Sequence, residues 1–385
     1  MSDKAFREES QRIRNEDIRL KRQSNLLQKF GRMIIRPTFI EAWGEPNIYL
    51  RIHDVPGTLS GRILRLQANV PPLNTSCEIL GDKIDHVPFK SMPSVEEDHE
   101  DTTVDSREAA SQLPIVNVDK SLHFTKETRS RNEVDNLLRA KGHPNVIELL
   151  GRTEDGRLVF PRYRDHAEVV FMGQGISEFR RLFLELADAI IFLHSKGIIH
   201  RDLAHRNILV ASDRRVVLCD LEADYGSSYC PEVARARDQG LSDSEIPYSE
   251  KSDVFCFGTM IAELILANNV RTPWQFTGNF APPVPFDRAF RSCISVEAAD
   301  RPTMLQLKKM LEDIAVPGML RYFLIETLVS MLTNRRICIA FSSVLPCSSF
   351  KPDSILVPPK LDTDHLPIIL LLGLSFISVG LAPAV

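Results

Sequence analysis

A chain of 385 residues with 43% apolar and 25% charged side chains can bury a sizeable core and exceeds one average domain, which excludes a wholly disordered or fibrous protein. Its 47 basic and 51 acidic side chains leave a formal charge of −4, which argues against a nucleic-acid partner. The seven cysteines (77, 219, 230, 256, 293, 338, 347) are odd in number and lack C-x-x-C spacing, so they argue against a disulfide framework or a zinc site and fit a reducing, cytoplasmic compartment.

The first residues, MSDKAFREESQRIRNEDIRLKRQ, lack the apolar core of a signal peptide. Residues 1–30 predict a charged helix with Ile13, Leu20, Leu27 and Phe30 as a loose apolar stripe, so 1–45 reads as a solvated helical extension. From Ile48 to Val70, IYLRI and ILRLQANV alternate as strands around the turn residues of PGTLSG. Residues 91–111 are acidic and poor in apolar side chains, the composition of a flexible loop. Thr125–Arg139 predicts a helix with Thr125 as N-cap, Val134, Leu137 and Leu138 on one face, and Glu133 on the buried edge. VIELLGRTEDGRLVF, 146–160, reads as strand, turn, strand. Residues 46–163 therefore form a small β-rich lobe with one helix.

Beyond the connector PRYRDHA the pattern becomes helical. Ser177 is a suitable cap for a long helix in which Phe179, Leu182, Phe183, Leu186, Ile190 and Leu193 recur at helical spacing. Ser252–Ala267 is apolar nearly all round, as in a helix buried on every side. Residues 164–315 thus predict a larger, mainly helical lobe, and the fold class is α+β with two lobes. Residues 316–385 form an apolar tail. Its uncharged stretch Leu366–Val385 reaches the length of a membrane-spanning helix, although two prolines and two glycines weaken it. A tail anchor in a membrane and a packed apolar tail are both readings of it.

Between the two helices lies HRDLAHRNILVASDRRVVLCDLE, 200–222. His200-Arg201-Asp202-Leu203-Ala204-His205-Arg206-Asn207 fills every specified position of H-R-D-L-x-x-x-N, and the stretch from Val146 to Ile314 resembles the protein kinase family. The resemblance implies a two-lobed protein-kinase-like fold and transfer of the ATP γ-phosphate to a Ser, Thr or Tyr hydroxyl of a protein substrate. Asp202 would take the hydroxyl proton, and Asn207 and Asp220 would supply oxygen ligands to Mg2+. His200, Arg201 and Asp253 would be structural. Tyr229-Cys230-Pro231-Glu232 resembles the A-P-E motif and Asp300-Arg301-Pro302 a later one, which implies a Glu232–Arg301 ion pair. Glu133, ahead of the HPN at 143–145, resembles the helix glutamate whose lysine partner grips the ATP phosphates; Lys120 is the preferred partner and Lys90 the alternative.

Three departures bear on activity. No G-x-G-x-x-G precedes the helix; the nearest stretch, Gly57 to Ile63, keeps only a final glycine followed by x-Ile, and its glycines read as an ordinary turn sooner than as a phosphate loop. Glu222 stands where the family's D-F-G has glycine, and could coordinate a metal or repel the nucleotide. Eleven residues separate Asp220 from Glu232, leaving little room for a phosphorylation switch. Ala204 and Arg206 resemble tyrosine kinases, whereas Gly226–Tyr229 resembles the serine/threonine pattern. The leading expectation is an Mg-dependent protein kinase, and the alternative is a pseudokinase that binds nucleotide or other proteins.

Overall fold

The computed structural model describes residues 1–36, 38–92, 103–128, 130–163, 165–222, 230–242, 245–268 and 281–316. The chain opens with α1 (Asp3–Gln23) and α2 (Asn25–Lys29). Ser2 caps α1, Asp3 lies in its first turn and Lys21 and Arg22 in its last, each sign placed to suit the helix dipole. Its buried face is Phe6, Ser10, Ile13 and Asp17, not the stripe expected from Ile13 to Phe30, and the helix is no solvated appendage. Phe6 is fully buried, with its ring 6.1 Å from Phe179 and 5.7 Å from Phe286. At the other end Lys21 pairs with Asp17 at 2.7 Å and donates to Asn268 at 3.1 Å.

A five-stranded sheet follows in spatial order: β1 (Arg32–Ile35), β2 (Phe39–Gly44), β3 (Ile48–His53), β4 (Cys77–Leu80) and β5 (Lys83–His86). Only β3 and β4 run parallel, so the chain must cross over between them, and α3 (Leu59–Leu64) lies in that connection. ILRL was expected as strand; Ile63 and Leu64, both fully buried, instead close α3, and Arg65 and Leu66 follow as a turn in which Leu66 takes φ 59°. Gly57 turns the chain at φ +83°, and Gly61 packs so closely that a Cβ would lie 2.3 Å from the Val55 carbonyl oxygen. The two glycines therefore serve a turn and a helix contact, not a phosphate loop. Leu26 and Phe30, the latter part of the expected α1 stripe, join Ile40, Leu50, Ile52 and Ile79 in a core belonging to this sheet alone. Strands β1 and β2 fall inside the region expected to be a helical extension, so the division at residue 45 does not match the fold.

A second core runs through the rest of the described chain. α4 (Thr103–Ser111) occupies the end of the expected acidic loop, and the small side chains Ser106 and Ala110 are fully buried there. β6 (His123–Lys126), α5 (Arg131–Arg139), β7 (Gly151–Arg152) and β8 (Leu158–Pro161) come next, with sheet order β6-β8-β7. Among the described residues β6 pairs only with β8. α5 begins at Arg131, capped by Ser130, and Thr125 lies in β6 instead of capping the helix.

β9 (Asp165–His166), α6 (Ala167–Phe171), α7 (Ile176–Ser195), β10 (Ile208–Val210), β11 (Val216–Leu218), α8 (Pro231–Asp238), α9 (Glu250–Leu266), α10 (Asp287–Cys293) and α11 (Met304–Glu312) complete the helical lobe. Every residue of the expected apolar series in α7 is buried. The first α7 amide, Ile176, donates to Asp3 Oδ1 at 2.8 Å, so the cap comes from α1 and not from Ser177. α9 is buried almost all round, as expected. The small lobe is joined to β11 by main-chain bonds from Ile147 N to Leu218 O and from Leu218 N to Asn145 O, at 2.8 and 2.9 Å. This is the two-lobed protein kinase fold, with a β-rich N-terminal region and a helical C-terminal one. Among the described residues no helix is long and apolar enough to cross a membrane. Leu366–Val385 and Gly226–Tyr229 lie outside the described residues.

Candidate active site

Three residues of the stretch 200–222 hold left-handed backbone conformations without being glycine, Arg201 at φ 69°, Arg214 at φ 66° and Asp220 at φ 67°. Such conformations persist only where their surroundings hold them. For the loop at 200–202 the clamp is Asp253, fully buried at the start of α9. Its carboxylate accepts from His200 N and Arg201 N at 2.9 Å each, and lies 2.8 Å from His194 Nε2. The His200 ring lies 3.1 Å from the Cys219 carbonyl, which ties the loop to the segment carrying Asp220. The Arg201 guanidinium stacks over the Tyr248 ring at 4.7 Å.

Asp202 is held on both sides. Arg206 Nη2 donates to both carboxylate oxygens, at 2.6 and 2.5 Å. Asn207 Nδ2 donates to the Asp202 carbonyl at 2.8 Å and to its Oδ2 at 3.0 Å. This commits the nitrogen of the Asn207 amide and leaves its oxygen as the atom suited to a hard cation.

The lysine that meets Glu133 is Lys126, the last residue of β6. Its Nζ lies 2.8 Å from Glu133 Oε1, 2.9 Å from Asp220 Oδ1 and 3.7 Å from Glu222 Oε2. Burial alone would lower the Lys126 pKa, but Glu133 and Asp220 outweigh it and hold the ammonium above its ordinary value. Lys120 instead lies in the turn before β6, where its carbonyl accepts from Arg162. Lys90 belongs to the first sheet's surroundings, 2.7 Å from Glu41. Both expected partners are thus displaced: HFTK is a strand paired with β8, and that pairing carries Lys126 to α5. The pattern Ser130-x-x-Glu133, a helix start, was the sequence signal that could have placed the helix later and freed 123–126 for a strand.

Asn136, on α5, had no role assigned from sequence. Its Nδ2 donates to the Leu221 carbonyl at 3.0 Å, fixing the helix to the Asp220-Leu221-Glu222 turn. Leu221 is fully buried, as an apolar substitute for phenylalanine should be. Cys219, next to Asp220, is pushed up to about 12 by burial and by the neighbouring carboxylate, so its thiol is no nucleophile.

Farther off, Arg301 and Glu232 form a two-pronged pair with both distances 2.8 Å. Burial raises the Glu232 carboxyl, but the Arg301 fork prevails and keeps it below the usual range. Arg301 also donates to the carbonyls of Ser295 and Lys251 and stacks on Phe255, which satisfies a guanidinium that is 2% exposed.

Between the lobes lies a cleft of about 280 Å³, lined by Lys126, Glu133, Asp220, Arg206 and the apolar Phe124, Leu137, Phe160 and Leu209 among others. The lining combines charged and apolar side chains, which suits a ligand with a flat ring and an anionic tail.

The model of the protein tyrosine and serine/threonine kinase family matches residues 115–280. A probable inactive serine/threonine-protein kinase of Dictyostelium discoideum is 27% identical over 223 residues, covering 47% of this chain and 18% of the relative. The serine/threonine-protein kinase PLK4 of Nematostella vectensis is 26% identical over 257 residues, 60% of this chain and 24% of the relative. The megakaryocyte-associated tyrosine-protein kinase of Mus musculus is 32% identical over 146 residues, 34% of this chain and 26% of the relative. The chain belongs to the protein kinase superfamily, and it spans about a quarter or less of the length of these three relatives.

Proposed function

We propose that the chain is a protein kinase that transfers the ATP γ-phosphate to a protein hydroxyl. The observation that carries this reading is the convergence of Lys126, Glu133 and Asp220, from two lobes, on one cleft that Arg206 also lines, with Arg206 and Asn207 both donating to the Asp202 carboxylate. Asp202 is the base: Asn207 and Arg206 orient its carboxylate, and it accepts the proton of the attacking hydroxyl. Lys126 is held by Glu133 against rotation and presents its charge to the phosphates. The Asn207 amide oxygen and the Asp220 carboxylate fit Mg2+, which when bound neutralises phosphate charge. The relatives include both serine/threonine and tyrosine kinases by name, so the acceptor hydroxyl is left at that level.

A second reading, a nucleotide-binding pseudokinase, is favoured by one observation: Glu222 brings a third carboxylate to Lys126. A relative bearing the name of an inactive kinase is in keeping with it.

Radiolabel transfer from ATP to the chain itself and to a basic protein acceptor separates the two. With Mg2+ the wild type should transfer label and Asp202→Asn should lose about 10²- to 10⁴-fold, the range for one general base. Equal transfer by both would remove Asp202 from the chemistry, and none by the wild type would favour the pseudokinase.

A further inference from the structure

Glycine at the third position of D-F-G has no side chain, whereas Glu222 extends a carboxylate to 3.7 Å from the Lys126 ammonium. Its side chain is 9% exposed, and it does not line the cleft, although Lys126, Glu133 and Asp220 all do. The turn that places it is fixed: Leu221 is fully buried and its carbonyl is held by Asn136. The Glu222 charge reaches Lys126 through poorly screened surroundings.

One ammonium thus faces three carboxylates, from Glu133, Asp220 and Glu222. A triphosphate must compete with all three for Lys126, and its own negative charge is repelled by theirs. A neutral nucleoside, held by apolar lining side chains such as Phe160 and Leu209, meets neither cost. We propose that Glu222 is a specificity-determining residue that weakens binding of the nucleotide's phosphates while leaving recognition of its base and sugar intact. The proposal rests on the cleft being a nucleotide site.

Calorimetric titration of the full chain with adenosine, with ATP in EDTA and with ATP plus Mg2+ tests it, using wild type, Glu222→Gln and Glu222→Gly. Glutamine keeps the shape of the side chain and removes its charge. ATP affinity should rise on the order of tenfold in Glu222→Gln, with or without Mg2+, since one neighbouring charge is removed. Adenosine should change less than twofold, and Glu222→Gly should follow the glutamine variant. ATP affinity unchanged, with adenosine still bound, would overturn the role of Glu222 and leave the nucleotide site standing. Weaker binding only of the Mg2+ complex would make Glu222 a metal ligand and also overturn it. An equal rise for adenosine would mark a loosened cleft instead of a charge effect. No binding of either ligand by any of the three proteins would remove the nucleotide site and the proposal together.

Discussion

Replacing Lys126 by methionine keeps the length and the apolar stem of the side chain and removes the ammonium that pairs with both Glu133 and Asp220. The Glu133 carboxylate is 2% exposed and already has one oxygen, Oε2, without a hydrogen-bond partner. Stripping the cation from such a buried pair costs about 3–5 kcal/mol if the carboxylate stays ionised. Lys126→Met should therefore destabilise by about 3–5 kcal/mol at pH 7. Lys120→Met, in an exposed turn, should stay within about 0.5 kcal/mol. Urea unfolding of both variants at pH 7 measures this. Equal penalties for the two lysines would refute the placement of Lys126 as the counter-charge of Glu133.

Three further outcomes follow from the fold. Phe6→Ala should cost about 3–5 kcal/mol in denaturant unfolding, as for a fully buried ring, and Asp3→Ala about 1 kcal/mol for the lost cap of α7. Arg301→Leu should destabilise by about 3–5 kcal/mol because the half-buried Glu232 is left without its fork; the double variant with Glu232→Leu should recover part of the loss in the same assay. Acid should unfold the five-stranded sheet early. Burial raises the Glu41 carboxyl, but Lys90, Tyr49 and Arg51 together bring it from 4.5 down to about 2. A depressed acid of this kind stabilises above pH 4.5 and loses that contribution as pH falls toward 2, an amount of about 3 kcal/mol. Glu41→Gln should flatten the acid transition followed by fluorescence of Trp43.

The catalytic loop was legible because its information is local. Asp202, Asn207 and the strand leading to Asp220 lie within twenty residues, and the buried α7 and α9 flank them with periods that survive any tertiary detail. The same holds for Glu232, Asp253 and Arg301, each fixed by a short motif. Lys126 was hidden because β6 is four residues long, too short for alternation to show, and was absorbed into the helix pattern that follows. α1 misled for a different reason: its buried positions include Ser10 and Asp17, so half of its inward face is polar, with Asp17 paired to Lys21 and accepting from Asn268 far along the chain. ILRL was ambiguous by pattern alone, since four residues fit either period, and packing decided it. Glu222 was visible as an anomaly, but its direction relative to the cleft depends on the turn held by Asn136.

The docking of α1 separates the part of this chain that is recognisable from the part that folds as one core. The family match ends at 115 on one side and 280 on the other, yet Phe6 lies before it, and Phe286 and Arg301 after it. A fragment cut at those limits would uncover the Phe179 ring, leave the first amide of α7 without its acceptor and strand Glu232 without a counter-charge. Change in α1 is therefore felt in the helical lobe beneath the catalytic loop, and a substitution there can silence the site without altering any residue of the kinase motifs.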